Sequence, residues 1–464
     1  MSATTSRGCK RAAEDGEVPP AKRTRTRTHP QQDPHGDERV LAEAGETGRP
    51  AHGGRGPYGP TAPPPRAPSE DWSPIDPATV PRAIMRILSA ANWRFVCDLA
   101  LKHHPSGSDG TLTCTANLER VARGGFNMAI ELSFSDGSFW VARISDGHEL
   151  DHQTEMLSEI ATMRLVATKT SIPVPQVYCY DHRQNNPFGF PYMLMSALPG
   201  RMLKGPLAFS VPKSFQPKIA SQMADHIQQL SRITFSEIGQ IWAGSELDED
   251  PHIIPFPVCG EDIGPFNSSA AYFRGVQQKL DEALIEEYGD DPDWPQWLRL
   301  SKIQAEAIPL LVCPKLRRGP FPLWHRDFHF KNILVDDEYN ITGVLDWTGA
   351  RVAPWEDFAV YGDILTFAGN SDDENQPILN FRAALVAALR KVEGEQGCRL
   401  TPPLSDILAS GHVDAVSAWA EVARTGEQAS GHALHLLRLM YGAETTFDNY
   451  RGRQRKLSRR LVWH

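Results

Sequence analysis

The chain has 464 residues but only seven cysteines, Cys9, Cys97, Cys114, Cys179, Cys259, Cys313 and Cys398, and no CxxC pair among them. Spaced so widely, they suggest neither a zinc site nor a disulfide framework, and a reducing compartment fits. Long apolar runs are missing, and the N-terminus lacks an apolar h-region, so neither a membrane span nor a secretory signal is expected. The chain reads as intracellular, cytoplasmic and/or nuclear, with no membrane partner. Excess positive charge is also missing: the formal net charge is -9. This speaks against a globally basic nucleic-acid binder, and no specific nucleic-acid partner is expected. No period of about 20–50 residues repeats, which excludes a solenoid.

Large apolar residues are scarce in residues 1–80, which hold 13 Pro and 9 Gly. Such a segment cannot bury enough surface to offset its ordering entropy, and a disordered tail is expected there. Within it, Lys10-Arg11 and Lys22-Arg23-Thr24-Arg25 resemble a bipartite nuclear-import signal, so residues 10–25 are a candidate contact for an import receptor; a plain solvated basic patch fits equally. A second basic run, Arg451 to Arg460, reads as a solvated end.

What remains is 41% apolar and 23% charged over the whole chain, enough for a sizeable core. Ile84, Ile87, Leu88, Phe95, Leu99 and Leu101 have helical spacing, giving a helical lead-in over 81–104. Met128, Ile130, Leu132 and Phe134 then alternate, Ser135-Asp136-Gly137 makes a turn, and residues 138–144 return as a second strand. A helix is expected from about Glu149 to Thr168. The prolines of Ile172-Pro-Val-Pro force extended backbone, and a strand runs from Pro191 to Met195. Residues 105–197 therefore read as a small sheet-plus-helix lobe, and 198–464 as a mainly helical one.

The most informative segment is Leu323-Trp-His-Arg-Asp-Phe-His-Phe-Lys-Asn-Ile-Leu-Val, then a turn at Asp336 to Asn340, then Ile341-Thr-Gly-Val-Leu-Asp-Trp. Phosphoryl transfer needs a carboxylate to orient or deprotonate the acceptor, and hard oxygen ligands to hold magnesium against nucleotide phosphates. Asp327, Asn332 and Asp346 supply those groups. A hairpin puts Asn332 at the start of one strand and Asp346 at the end of the next, within reach of one ion. His325 is expected to brace this catalytic loop through hydrogen bonds, and His329 has no assigned role.

HxDxxxxN followed by an aspartate on the next strand resembles the aminoglycoside phosphotransferase family, which includes choline and related small-molecule kinases. The resemblance extends through Gly124-Gly125-Phe126-Asn127, Val141-Ala142-Arg143, Ile172-Pro-Val-Pro, and Tyr192-Met-Leu-Met-Ser196 with Pro199-Gly200, over about residues 90–450. It implies an α+β, two-lobed, protein-kinase-like fold with ATP between the lobes. It further implies that Asp327 is the catalytic base, that Asn332 and Asp346 bind Mg2+, and that Arg143 stands where the family has a phosphate-contacting lysine. Glu159 is then the helix partner of Arg143, Asp357 steadies the catalytic loop, and the acceptor is a small molecule. Two departures stand out: arginine's planar fork at 143 differs from a compact ammonium, and the glycine turn is short of GxGxxG.

Several positions have a plainer reading as well. Gly124-Gly125 before a strand also suits an ordinary turn ahead of Asn127. Arg143 also suits a surface position opposite the Trp140, Ala142 and Ile144 face. Glu155 and Glu159 share a helix face, so spacing alone leaves both open as its partner. Met193 to Leu198, with Ser196 and Leu198, would offer main-chain groups to adenine, or serve as a buried strand. Trp242, Phe256, Trp294 and Trp297 suit an acceptor cleft or the core. Besides a small-molecule kinase, two readings remain: a nucleotide-binding scaffold without activity, and a nuclear protein kinase-like regulator.

Overall fold

The computed structural model describes residues 67–450 apart from 77, 108–109, 125–126, 146–151, 291–293, 367–369, 398–399 and 423–426. The import-like clusters of residues 10–25, Gly125 and the basic run from residue 451 lie outside the described residues. Helical spacing places Ile84 and Ile87 on the buried stripe of α1, Arg82–Ala90. Asn92 then caps α2, Trp93–His103, its side chain accepting the Phe95 N–H at 3.2 Å. Both helices cover one face of a six-stranded antiparallel sheet. The strands are β1 Ser73–Pro74, β2 Cys114–Arg123, β3 Asn127–Phe134, β4 Phe139–Ser145, β5 Val177–Asp181 and β6 Tyr192–Ser196, in the order β1-β2-β3-β4-β6-β5.

Strand alternation divides this sheet cleanly. Met128, Ile130, Leu132, Trp140, Ala142 and Ile144 join Val96 and Leu99 of α2 in one apolar cluster. The opposite face carries Val177 and Met193 against Leu157, Ile160 and Val166 of α3, His152–Lys169, and is continuous with the core of the second lobe. Fully burying each such side chain contributes about 1.5–3 kcal/mol. Since Ala142 and Ile144 face α2, Arg143 between them faces α3.

The chain is docked earlier than composition predicts. Residues 68–71 form a turn, and β1 pairs with Val121 and Arg120 of β2. The Ser69 N–H donates to the buried Glu131 carboxylate at 2.9 Å, and the Asn117 amide donates to Ser69 Oγ at 3.1 Å. Main-chain pairing to a sheet edge needs no apolar side chains, so a polar composition does not reveal it.

The second lobe is mainly helical, with Gln216–Leu230, Ser269–Tyr288, Trp294–Leu311, Asp372–Gln396, His412–Val422 and Glu427–Tyr441. Set into it is a three-stranded sheet in which Ile333–Val335 pairs with Ile341–Val344 on one side and Arg201–Met202 on the other. Gly200, with a φ of 107°, makes the entry to this sheet possible, because a Cβ there would lie 2.3 Å from Thr342 Oγ1. The lobes are tied at the same place, where Val344 N–H donates to Pro173 O at 2.8 Å; the Thr342 hydroxyl holds the chain entering the second lobe through Pro199 O at 2.6 Å.

Candidate active site

The hairpin pairs Ile333 with Val344, and the ladder continues one step as Leu345 N–H donates to Asn332 O at 2.8 Å. Asn332 and Asp346 are thereby brought to one end of the hairpin. Asp346 has a φ of 56° and Arg326 one of 69°. Each non-glycine residue in this region costs roughly 1–3 kcal/mol, maintained by the packing around it.

His325 is one element of that packing. It is buried, and its Nε2–H donates to Leu345 O at 3.0 Å, so the segment that carries Asp327 is joined to the strand end that carries Asp346. A carbonyl only accepts, so Nε2 holds the proton and Nδ1 is left bare and buried, with no partner among the described residues. Burial lowers the His325 pKa to about 4, and the ring is neutral at pH 7. Trp347 packs against it, with ring centroids 4.3 Å apart.

Asp327, on the second-lobe side of the cleft between the lobes, has its side chain 55% exposed. The Asn332 amide nitrogen donates to its main-chain carbonyl at 2.8 Å and to Oδ2 at 3.0 Å. Both atoms accept only, which fixes the amide orientation and turns Asn332 Oδ1 the other way. His329 Nε2 lies 2.9 Å from Asp327 Oδ1. The hydrogen bond from His329 is the main reason the Asp327 carboxyl is held below the ordinary carboxylate range. Sequence spacing gave no role to His329, since a second histidine in a loop carries no signal of its direction.

Across the cleft, Arg143 settles the choice left open on α3: its guanidinium bonds Glu159, which is buried. The other terminal nitrogen donates to Asp346 Oδ1 at 3.1 Å and to the Thr348 hydroxyl at 2.5 Å, and Thr348 in turn donates to Glu159 at 3.1 Å. Glu159 and Asp346 together raise the Arg143 pKa against the opposing effect of burial. One cation therefore links β4, α3 and the end of the hairpin. Thr348 has no sequence signal, being 205 residues from Arg143.

Gly124 N–H donates to Asn127 O at 2.9 Å, closing the β2–β3 turn, and Asn127 pairs with Ser145. Along Met193 to Leu198, Ser196 N–H and Ala197 N–H donate to Gln176 O and Phe139 O, and Ser196 Oγ accepts from Gln176 N–H. Ser196 is thus bound into the sheet, while the Leu198 side chain packs toward Gly343, where a Cβ would lie 2.9 Å from it. Phe256 is in the core, with Trp242 and Trp297 packed against it; nothing is described of the Trp294 side chain.

Three buried carboxylates stand behind the cleft. Asp357 accepts from the Tyr272 hydroxyl at 2.5 Å. Glu356 accepts from Cys313 N–H and Ser269 Oγ, and burial pushes its pKa up to about 7. Asp363 reaches the segment between Asp327 and Asn332, accepting Phe330 N–H at 2.7 Å and Leu207 N–H at 3.0 Å, with burial raising its pKa to about 6.

A family model described as the phosphotransferase enzyme family matches residues 119–400, more than half of the chain. A subtelomeric hrmA-associated cluster protein of Aspergillus fumigatus is 29% identical over 167 residues, 36% of this chain and 32% of that one. Clavilactone A biosynthesis cluster protein Y of Ampulloclitocybe clavipes is 27% identical over 268 residues, 54% of this chain and 64% of that one. The matches thus span about a third of the first relative and under two thirds of the second. Among solved structures, the GDP complex of wild-type aminoglycoside 2'-phosphotransferase-IIIa is similar at 16% identity, over 74% of this chain and 97% of that chain, with a TM-score of 0.43. Plasmodium vivax ethanolamine kinase is similar at 14% identity, over 73% and 79%, with a TM-score of 0.42. With the family match running from Gly124 through Arg143 and Ser196 to the hairpin that carries Asn332 and Asp346, this two-lobed α+β chain belongs to the phosphotransferase enzyme family.

Proposed function

We propose that the chain transfers the γ-phosphoryl group of ATP, with Mg2+, to a hydroxyl of a small-molecule acceptor, an amine being the alternative nucleophile. The observation that carries this reading is the arrangement of Asn332: its side-chain nitrogen is committed to Asp327, so its side-chain oxygen is the donor left to a cation, and Asn332 and Asp346 lie at the same end of the hairpin. An amide oxygen and a carboxylate are hard donors that suit Mg2+, and Asp346 is 43% exposed. Among the described residues no group of three or more His, Cys, Asp or Glu is arranged to hold a metal by itself. The ion would be held by one carboxylate, one amide oxygen and the nucleotide phosphates.

When bound, the ion would neutralise charge on the β- and γ-phosphates. Asp327 would accept the acceptor's proton, and its lowered pKa keeps it ionised at neutral pH. It acts mainly by orienting the nucleophile, since phosphoryl transfer asks little covalent chemistry of the protein. Arg143 would add fixed positive charge toward the phosphates, and His325 would keep the loop and Asp346 in register. Adenine would be met by main-chain groups near Leu198, below the Gly124–Asn127 turn.

The test is purified protein with ATP, Mg2+ and a panel of hydroxyl- and amine-bearing metabolites, read by mass spectrometry. A phosphorylated metabolite with matching ADP, absent with Asp327→Asn, is the expected result. ATP bound tightly with no product across the panel, and no ATP hydrolysis, would favour the inactive scaffold.

A further inference from the structure

Arg143 and Glu159 do not meet as two parallel forks. One terminal nitrogen of Arg143 bonds Glu159 Oε1 directly. The other donates to the Thr348 hydroxyl at 2.5 Å, and that hydroxyl donates to Glu159 Oε2 at 3.1 Å. The three side chains close a ring, with Thr348 standing where the second bond of a bidentate arginine–carboxylate pair would run. We infer that Thr348 is a positioning residue: it keeps Arg143 from closing on Glu159 and so holds the second guanidinium nitrogen at Asp346, where the proposed Mg2+ and nucleotide phosphates meet. This role rests on the ATP- and Mg2+-dependent reading of the site.

A hydroxyl suits this place because it has one proton to give and lone pairs with which to accept. Its proton goes to the Glu159 carboxylate, and its oxygen takes the Arg143 N–H. The backbone beneath it is fixed as well. Trp347 is fully buried, and its indole N–H donates to Val344 O at 3.1 Å. Ala350 N–H donates to Trp347 O at 3.0 Å and closes a tight turn through Thr348 and Gly349. Gly349 has a φ of 72°, a conformation that glycine adopts without steric cost. Thr348 is thus set on a rigid turn, two residues beyond Asp346.

The nitrogen that Thr348 holds also donates to Asp346 Oδ1 at 3.1 Å, so both of its N–H groups are committed. Without the hydroxyl it has two carboxylates to choose between. Glu159 is 5% exposed and Asp346 43% exposed. A buried carboxylate oxygen left without a donor costs more than one that water reaches, so the arginine would turn to Glu159 and leave Asp346. The bidentate pair formed there keeps the lobe together but withdraws a fixed positive charge from the phosphate end of the cleft. Lysine has a single nitrogen and no second arm to hold apart. The requirement for Thr348 therefore belongs to arginine at position 143.

The experiment titrates ATP with Mg2+ calorimetrically into the full chain as wild type, Thr348→Val, Thr348→Ser, Arg143→Lys, and Arg143→Lys combined with Thr348→Val. Thr348→Val is nearly isosteric and should weaken binding about tenfold, the size of one charge-assisted hydrogen bond, with a melting temperature close to that of wild type. Thr348→Ser keeps the hydroxyl and should bind as wild type does. Beside Arg143→Lys the valine should cost little more, a non-additive pair. Thr348→Ala gives the same comparison should the valine variant not fold. Wild-type affinity in Thr348→Val, a serine variant as weak as the valine one, or an equal loss in both backgrounds would overturn the role of Thr348 while leaving ATP binding in place. Wild type that binds no ATP in the presence of Mg2+ is a separate failure: it removes the nucleotide reading of the site, and the role of Thr348 with it.

Discussion

On one side of the cleft Asp327 is held by His329 and Asn332, its neighbours along the chain. On the other, Arg143 meets Glu159, Asp346 and Thr348, which are 16, 203 and 205 residues away. The first arrangement is local and survives as long as one hairpin does. The second exists only when sheet register, α3 and the hairpin are all in place. The proposed acceptor side is therefore preformed by short-range structure, while the proposed nucleotide side reports whether the lobes are assembled.

The largest expected effect lies on the local side. Asp327→Asn is nearly isosteric and keeps the loop, but removes the ionised acceptor of protons. Turnover should fall about 10²- to 10⁴-fold, roughly 3–5 kcal/mol of transition-state stabilisation, with ATP affinity little changed. Steady-state turnover measured beside ATP titration checks this; unchanged turnover would remove Asp327 from the role of base.

Next is the joint between the two sides, His325. Unfolded, it protonates near pH 6.5, whereas burial keeps the native ring neutral to about pH 4. The unfolded state therefore binds more protons across this window, and the stabilisation is present above about pH 6.5 and lost as pH falls through about 4. The lost amount is about 3 kcal/mol. His325→Gln does not titrate, so its unfolding free energy should fall less between pH 6.5 and 4 than that of wild type. The slope does not vanish, because His226 is lowered to about 4 as well. Parallel pH profiles would show that His325 contributes no such linkage.

A smaller effect is expected at the sheet edge. A chain that begins at residue 81 loses the Ser69 bond to buried Glu131, while one that begins at residue 67 keeps it. The shorter chain should be less stable by about 1–3 kcal/mol in denaturant titration. Equal stability would show that the docked segment contributes nothing to the lobe. The smallest effect is a change of shape: with His329→Ala, Asp327 loses the bond that lowers its pKa. The acid limb of kcat/KM should move to higher pH, and an unmoved limb would count against the His329–Asp327 bond.

The same contrast of range explains what the sequence made legible. The hairpin, Asp327, Asn332 and Asp346 were readable because turn residues, strand alternation and polar spacing all lie within one short segment. Opposite placement of Arg143 from Trp140, Ala142 and Ile144 was readable from period two. Spacing left Glu155 and Glu159 equal as its partner, because a helix face offers both, and only the family resemblance favoured Glu159, which the structure pairs with Arg143. Asp363 and Thr348 were missed for the same reason, each serving a partner far away in the chain. Ser69 escaped because its contribution is a main-chain N–H, which any residue type supplies.

The most direct test of the central claim is a calorimetric titration of ATP into wild type and Asp346→Ala, each with and without Mg2+. Asp346 is where the two sides meet, bonded to Arg143 and placed beside Asn332. Wild type should bind ATP more tightly with Mg2+ than without, and Asp346→Ala should lose most of that difference while staying folded by circular dichroism. Full magnesium dependence in Asp346→Ala, or none in wild type, would contradict the account.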